Sequence, residues 1–335
     1  MEKSNVTMIR ARVHDPSNPI KIGHYLLVFA SAVRWHYYDL NTKTWTYGGK
    51  LYDANELSTG PSRPTDGRFW APHVVPCPWS SGNFVLYHSD VTYESNHESK
   101  ISFAVSSGNA PNLIWTASDS YVVESKGYSV PFAIDPSVFE DDDDSFWLIY
   151  GSHAKGIVIV ELDPTTGYLK TTPEEKTWSP EDKRFTTVAN YGGELDENNV
   201  EAAYLYKHDD HYYLFVNWDV CCHGIDSSYN IRVGRSPSIT GPYLDKNDVD
   251  MAAGGGTVFL DATGEILGDS RFIGPGHAGI YQHTDGKYYF SHHFYDAKSE
   301  DDSGSLAIWV LKWDERGWPY IDTNDSVCWK LACPL

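Results

Sequence analysis

The sequence predicts an all-β fold, a five-bladed β-propeller, on three observations. Apolar runs are short, and long helical periodicities are scarce. One pattern, an acidic, Gly or polar turn followed by an aromatic-rich strand, recurs five times. The recurrences lie 59, 62, 66 and 76 residues apart. Each interval is long enough for about four short strands and their turns, the content of one propeller blade.

The units follow in chain order. The first turns at Gly23 into "GHYLLVF" and the second at Gly82 into "GNFVLYH". The third turns at Asp144 into "DSFWLIY", after the acidic run "EDDDD" that reads as a solvated hairpin turn. The fourth turns at Asp210 into "DHYYLFV" and the fifth at Gly286 into "GKYYFSH". Third strands are legible downstream as "KISFAVSS", "GIVIVELD", "YNIRVGRS" and "SLAIWVLKW". A ring of blades leaves no open sheet edge and needs no staple, so residues 1–335 are expected to form a single domain.

Bulk properties narrow the function classes. The hydrophobic share of 41% against 21% charged residues is a globular profile. A formal charge of −20 repels phosphate backbones and anionic lipid, which excludes nucleic acid and membrane surfaces as partners. The apolar run "YLLVFASAV" is too short to span a bilayer. Five cysteines cannot all pair internally; Cys221 and Cys222 are adjacent, and Cys328 and Cys333 could close a small loop. No C-x-x-C metal pattern occurs. "GPGHAG" at 274–279 matches G-x-G-x-x-G, but a strand-like segment follows it, so it is no dinucleotide fingerprint.

The chemistry sits just upstream of each turn. Nine residues before Gly82, Asp144, Asp210 and Gly286 lie His73, Asp135, Glu201 and His277, and eight before Gly23 lies Asp15. The first strand of a propeller blade lines the central channel, so these five groups are expected to converge at one end of the axis. Like charges held together out of water drive pKa values apart, and that separation is what acid/base chemistry uses.

These residues sit in motifs that resemble glycoside hydrolase family 43, in its α-1,5-L-arabinanase branch. The matching stretches are "VHDPS" at 13–17, "FWAP" at 69–72, "AIDPSVF" at 133–139, "LIYGS" at 148–152 and "VEAAYLY" at 200–206. They continue as "CCHGIDSSYNIRVGRSPSITGPY" at 221–243, "GPGHAGI" at 274–280 and "HFYDA" at 293–297. The resemblance implies an inverting glycoside hydrolase that cuts α-1,5-L-arabinofuranosyl links in arabinan or arabino-oligosaccharides, endo action being favoured. Asp15 would be the general base, Glu201 the general acid, and Asp135 the group that modulates the pKa of Glu201 and orients it. His277 would lie beside a pore metal ion, by resemblance calcium held mostly through water. Trp70, Phe132, Trp218, His293 and His14 are the expected substrate-binding residues, and Trp35 is a further candidate for stacking on sugar.

The chain departs from the family pattern at four places, one of them the loop "HSDVTYESNHESK" at 88–100. His73 follows "WAP" where the family has Asp, "HAKG" at 153–156 replaces an aromatic pair, and Phe132 stands for an Asn. These positions bear on subsite layout, and so on endo against exo action. The alternatives are an exo-acting α-L-arabinofuranosidase or β-xylosidase of the same fold, and a sugar-binding propeller without catalysis. The protein is expected to be a monomer and secreted, any signal peptide being absent from this chain.

Overall fold

A computed structural model of the chain describes residues 7–9, 13–32, 34–51, 69–92, 98–171, 176–192, 199–299 and 304–324. The possible Cys328–Cys333 pair lies outside them. The described residues form five antiparallel sheets arranged as the five blades of a propeller. Strand β1 (Thr7–Ile9) belongs to the last blade. Blade 1 holds β2 (Ile20–Ile22), β3 (Tyr25–Ala30), β4 (Arg34–Asp39) and β5 (Thr44–Lys50). Blade 2 holds β6 (Phe69–Pro76), β7 (Phe84–Thr92), β8 (Glu98–Asn109), β9 (Asn112–Ala117) and β10 (Val123–Ser125). Blade 3 holds β11 (Ser137–Glu140), β12 (Phe146–Tyr150), β13 (Ile157–Leu162) and β14 (Thr186–Ala189). Blade 4 holds β15 (Val200–His208), β16 (His211–Trp218), β17 (Asn230–Ser236) and β18 (Thr257–Leu260). Blade 5 holds β19 (Phe272–Gln282), β20 (Tyr288–Asp296), β21 (Ser305–Trp313) and β22 (Pro319–Ile321). Pairing of β1 with β21 makes an N-terminal strand the outer strand of the final blade, which ties the ring shut.

All five expected turns fall between the first two long strands of a blade, and all four legible third strands are β8, β13, β17 and β21. The second strands are apolar on both faces because each separates two neighbouring blades. Leu27 and Phe29 pack with Phe69, Val74 and Leu86 of blade 2, whereas Leu26 and Val28 pack with Leu306, Ile308 and Val310 of blade 5. Tyr150 and Leu148 face blade 2, and Ile149 between them faces blade 4. Period-two alternation thus assigns each residue to one of two apolar layers. Truncating a fully buried member such as Phe215 or Phe290 should cost about 3–5 kcal/mol.

Two tiers of inter-blade hydrogen bonds ring the axis. The upper tier starts from five residues with positive φ: Asp15 (48°), Ala71 (45°), Asp135 (56°), Ala202 (53°) and His277 (57°). The N–H of each donates to a side chain of the preceding blade: His293 Nδ1 at 3.2 Å, Ser31 Oγ at 2.9 Å, Ser89 Oγ at 2.9 Å, Asp135 Oδ2 at 3.1 Å and Asn217 Oδ1 at 3.2 Å, in that order. Three residues further on, the N–H groups of Val74, Val138, Leu205 and Ile280 donate to Asn18, His73, Ser137 and Tyr204. At the fifth seam stands Gly279, where a Cβ would come within 2.7 Å of the Asn18 Cα. Left-handed backbone is costly for a non-glycine residue. Here each instance aims an N–H sideways at the preceding blade.

Candidate active site

The expected convergence of Asp15, Asp135, Glu201 and His277 is present, but the equal-offset alignment behind it needs correction. The backbone positions that repeat are Asp15, Ala71, Asp135, Ala202 and His277, so His73 lies two residues past its blade's equivalent and Glu201 one residue before. The slip comes from the length of chain between the repeating position and the turn, eleven residues from Ala71 to Gly82 and eight from Ala202 to Asp210, against nine from Asp135 to Asp144 and from His277 to Gly286. Asp15 and Asp135 also precede their strands rather than lie within them. His73 is a seam residue: its Nδ1 accepts the Val138 N–H at 3.1 Å, and burial drops its pKa to about 3.

Asp15 stands among three imidazoles and a hydroxyl. His14 Nδ1 lies 2.8 Å and His277 Nδ1 3.0 Å from Oδ1, while Ser31 donates to Oδ2 at 2.7 Å. Burial pushes the Asp15 carboxyl up, but the His14 and His277 charges and hydrogen bonds outweigh it and hold the group well below the ordinary range. His277 is caught between two acids, its Nε2 lying 3.9 Å from Asp135 Oδ1. Burial opposes its charge, yet Asp15 and Asp135 raise its pKa to about 9. Asp135 moves the other way. Burial, reinforced by Glu201 and Asp15, pushes its carboxyl far above the usual value despite His277.

Glu201 reaches the same cluster from β15. Its Oε2 accepts the Ser152 hydroxyl at 2.7 Å, its Oε1 accepts Tyr229 at 2.9 Å, and His153 Nε2 lies 3.6 Å from Oε2. Asp135 binds the N–H of the adjacent Ala202. That bond ties one carboxylate to the backbone that carries the other. His153 sits on a left-handed turn, with φ of 48° at His153 and 40° at Ala154, and its side chain is 40% exposed.

The expected substrate-binding residues divide. Half-buried Trp70 immediately precedes Ala71 at the site. Phe132 packs between Tyr128, at 5.5 Å, and His153, at 6.5 Å, beside Glu201. His14 is partly exposed and contacts Asp15 directly. His293 is corrected: it is fully buried behind Asp15, and its ring lies between those of His14 and Tyr229. Trp218 is corrected too, because Arg232 covers its ring at 3.8 Å, Tyr191 packs against it at 4.6 Å, and it belongs to the layer between blades 3 and 4. Trp35 is likewise buried, against Tyr37 and Gly48. Ser31, Ser152, Tyr229 and Tyr295 were not singled out from the sequence, although the last three lie inside the quoted motifs "LIYGS", "CCHGIDSSYNIRVGRS" and "HFYDA". In "GPGHAG", a Cβ on Gly276 would come within 2.5 Å of both His293 and Tyr229, so this glycine serves packing around the site.

A cation beside His277 fits one feature of this geometry. His277 Nε2 is beyond hydrogen-bond reach of Asp135, which leaves that nitrogen able to take an ion or its water. His73 does not fit as a ligand, since the backbone N–H on Nδ1 makes Nε2 the protonated nitrogen.

The model of glycosyl hydrolases family 43 matches residues 7–319. The chain belongs to glycoside hydrolase family 43 and is a glycoside hydrolase. Among family relatives, it is 31% identical over 322 residues to the extracellular exo-α-(1→5)-L-arabinofuranosidase ArbA of Cellvibrio japonicus, covering 93% of this chain and 87% of that one. It is 34% identical over 257 residues to extracellular endo-α-(1→5)-L-arabinanase 1 of Bacillus subtilis, covering 75% and 68%. In structure it resembles the family's Cellvibrio cellulosa α-L-arabinanase complexed with arabinohexaose, with a TM-score of 0.77, 28% identity, and 96% and 99% of the two chains covered. No helix among the described residues is long and apolar enough to cross a membrane.

Proposed function

We propose that the protein hydrolyses α-1,5-L-arabinofuranosyl linkages of arabinan and arabino-oligosaccharides with inversion, in endo fashion and outside the cell. The observation that carries the reading is the single cluster in which His277 contacts Asp15, lies beside Asp135, and Asp135 binds the backbone of Glu201. Asp15, ionised and held by His14 and Ser31, takes a proton from the attacking water. Glu201, presented by Ser152 and Tyr229, gives a proton to the leaving oxygen. Asp135 orients Glu201 through Ala202. An inverting enzyme leaves roughly 6.5–9.5 Å between its two carboxyls for that water. Half-buried Trp70 and exposed Tyr128, backed by buried Phe132, are the aromatic surfaces offered to arabinose rings.

Relatives named as arabinanases and as extracellular support the substrate and the location. Exo action is the second reading, favoured by the name of ArbA. Product analysis on linear arabinan tests both: early oligosaccharides of mixed length support endo action, and one small product released from the outset supports exo.

A calcium-type cation beside His277 Nε2, held mostly by water, would supply positive charge that keeps nearby carboxylates ionised. His277 must give up its proton to face such an ion, so cation affinity should rise with pH toward about 9. Calorimetric titration of metal-stripped protein at pH 6 and pH 8 measures this; equal affinities at both would contradict ligation by His277.

A further inference from the structure

The pair Cys221–Cys222 is joined as a disulfide between adjacent residues, in the loop that follows β16. Cys222 is exposed and has a φ of 67°, which turns its N–H inward. That N–H donates to the Tyr295 hydroxyl oxygen at 3.0 Å. The same oxygen lies 2.8 Å from His14 Nε2, and His14 Nδ1 lies 2.8 Å from Asp15 Oδ1. A carboxylate only accepts, so Nδ1 of His14 carries a hydrogen and points at Asp15, while Nε2 is paired with the Tyr295 hydroxyl. The Cys222 N–H occupies a lone pair of the tyrosine oxygen and, together with the Ser227 side chain, holds that oxygen against His14. Around this chain the fit is tight. His14 stacks on His293 at 4.2 Å, and the His223 N–H is taken by Ser227 Oγ at 3.1 Å.

We propose that the Cys221–Cys222 disulfide is a positioning element for Asp15, acting through Tyr295 and His14. The inference rests on the reading of Asp15 as the base. Closing a ring across one peptide bond removes freedom from the backbone on which the Cys222 N–H is carried. Without it, Tyr295 loses its fixed donor, and the His14 ring is free to turn about Cβ–Cγ. The acceptor oxygen of Asp15 then loses its set direction, and misplacement of a reacting group is felt mainly in kcat.

The test is a cycle between Cys221→Ser/Cys222→Ser and Tyr295→Phe, read on linear arabinan. Each change alone should lower kcat about 3- to 10-fold with KM unchanged, and the combination should cost no more than one of them. Losses that multiply, or no loss from removing the disulfide, would overturn the proposal. Should the serine variant not fold, Tyr295→Phe decides by itself, since it keeps the disulfide and loop; an unchanged kcat there overturns the proposal. Ring ¹⁵N shifts of His14 provide a readout independent of activity. They should move when the disulfide is removed, and unmoved shifts overturn the coupling even if Asp15 proves not to be the base.

Discussion

Glu201 and Asp135 are both acids in strand-like sequence, and their neighbours give them different work. Glu201 accepts two hydroxyls and opens toward partly exposed His153. Asp135 is buried, bound to a backbone N–H, and pushed upward by burial and by the other acids. Glu201→Ala should cut the rate on polysaccharide by about 10²–10⁴-fold. Aryl arabinofuranosides with good leaving groups need less protonation and should lose less. Initial rates on the two substrates check this, and equal losses would contradict the acid role. The identities of Asp15, Asp135 and Glu201 were legible because each lies in a distinctive motif. Their partners were not. Ser152 and Tyr229 are common residue types whose importance comes from which carboxylate the fold turns toward them.

At the scale of the blade element, the turn-and-strand repeat was readable because hairpin turns and buried second strands leave strong local signals. The length of chain between the repeating position and the turn was not, since it varies from eleven residues in blade 2 to eight in blade 4 with no composition cue, and a fixed count back from the turn therefore landed on His73 and Glu201 rather than on Ala71 and Ala202. Trp218 was misjudged for a related reason: an aromatic at a strand end serves a sugar or a blade interface equally well, and Arg232 decides for the interface. The upper tier of seam bonds offers a direct test. Ser89→Ala leaves the Asp135 N–H buried without its acceptor, which should cost about 1–3 kcal/mol. Because that N–H belongs to a site residue, activity should fall along with the unfolding free energy. Denaturant titration and kcat on arabinan measure the two, and a variant as stable and active as the parent would show that the seam bond is dispensable.

For the whole molecule, the ring does two things: it hides titratable groups and it brings distant segments to one axis. Burial holds His36, His88 and His292 at a pKa of about 4 and His73 at about 3, and sends His293 well below its ordinary value. A histidine lowered in this way contributes stability that is present above its unfolded pKa near 6.5 and is lost as pH falls toward the folded value. Each one therefore weakens the fold by about 1.4 kcal/mol per pH unit over that window. The melting temperature should drop steeply between pH 6.5 and 4, and a flat profile there would contradict the burial of these rings. The convergence of segments is the central claim, because Asp15 and Glu201 are far apart in sequence and meet only if five blades close around one channel. Proton NMR of freshly cleaved arabino-oligosaccharide tests it most directly. The account expects the β-anomer of the new reducing end to appear first and Asp15→Asn to abolish that signal while oligosaccharide still binds; the α-anomer appearing first would make Asp15 a nucleophile and contradict it.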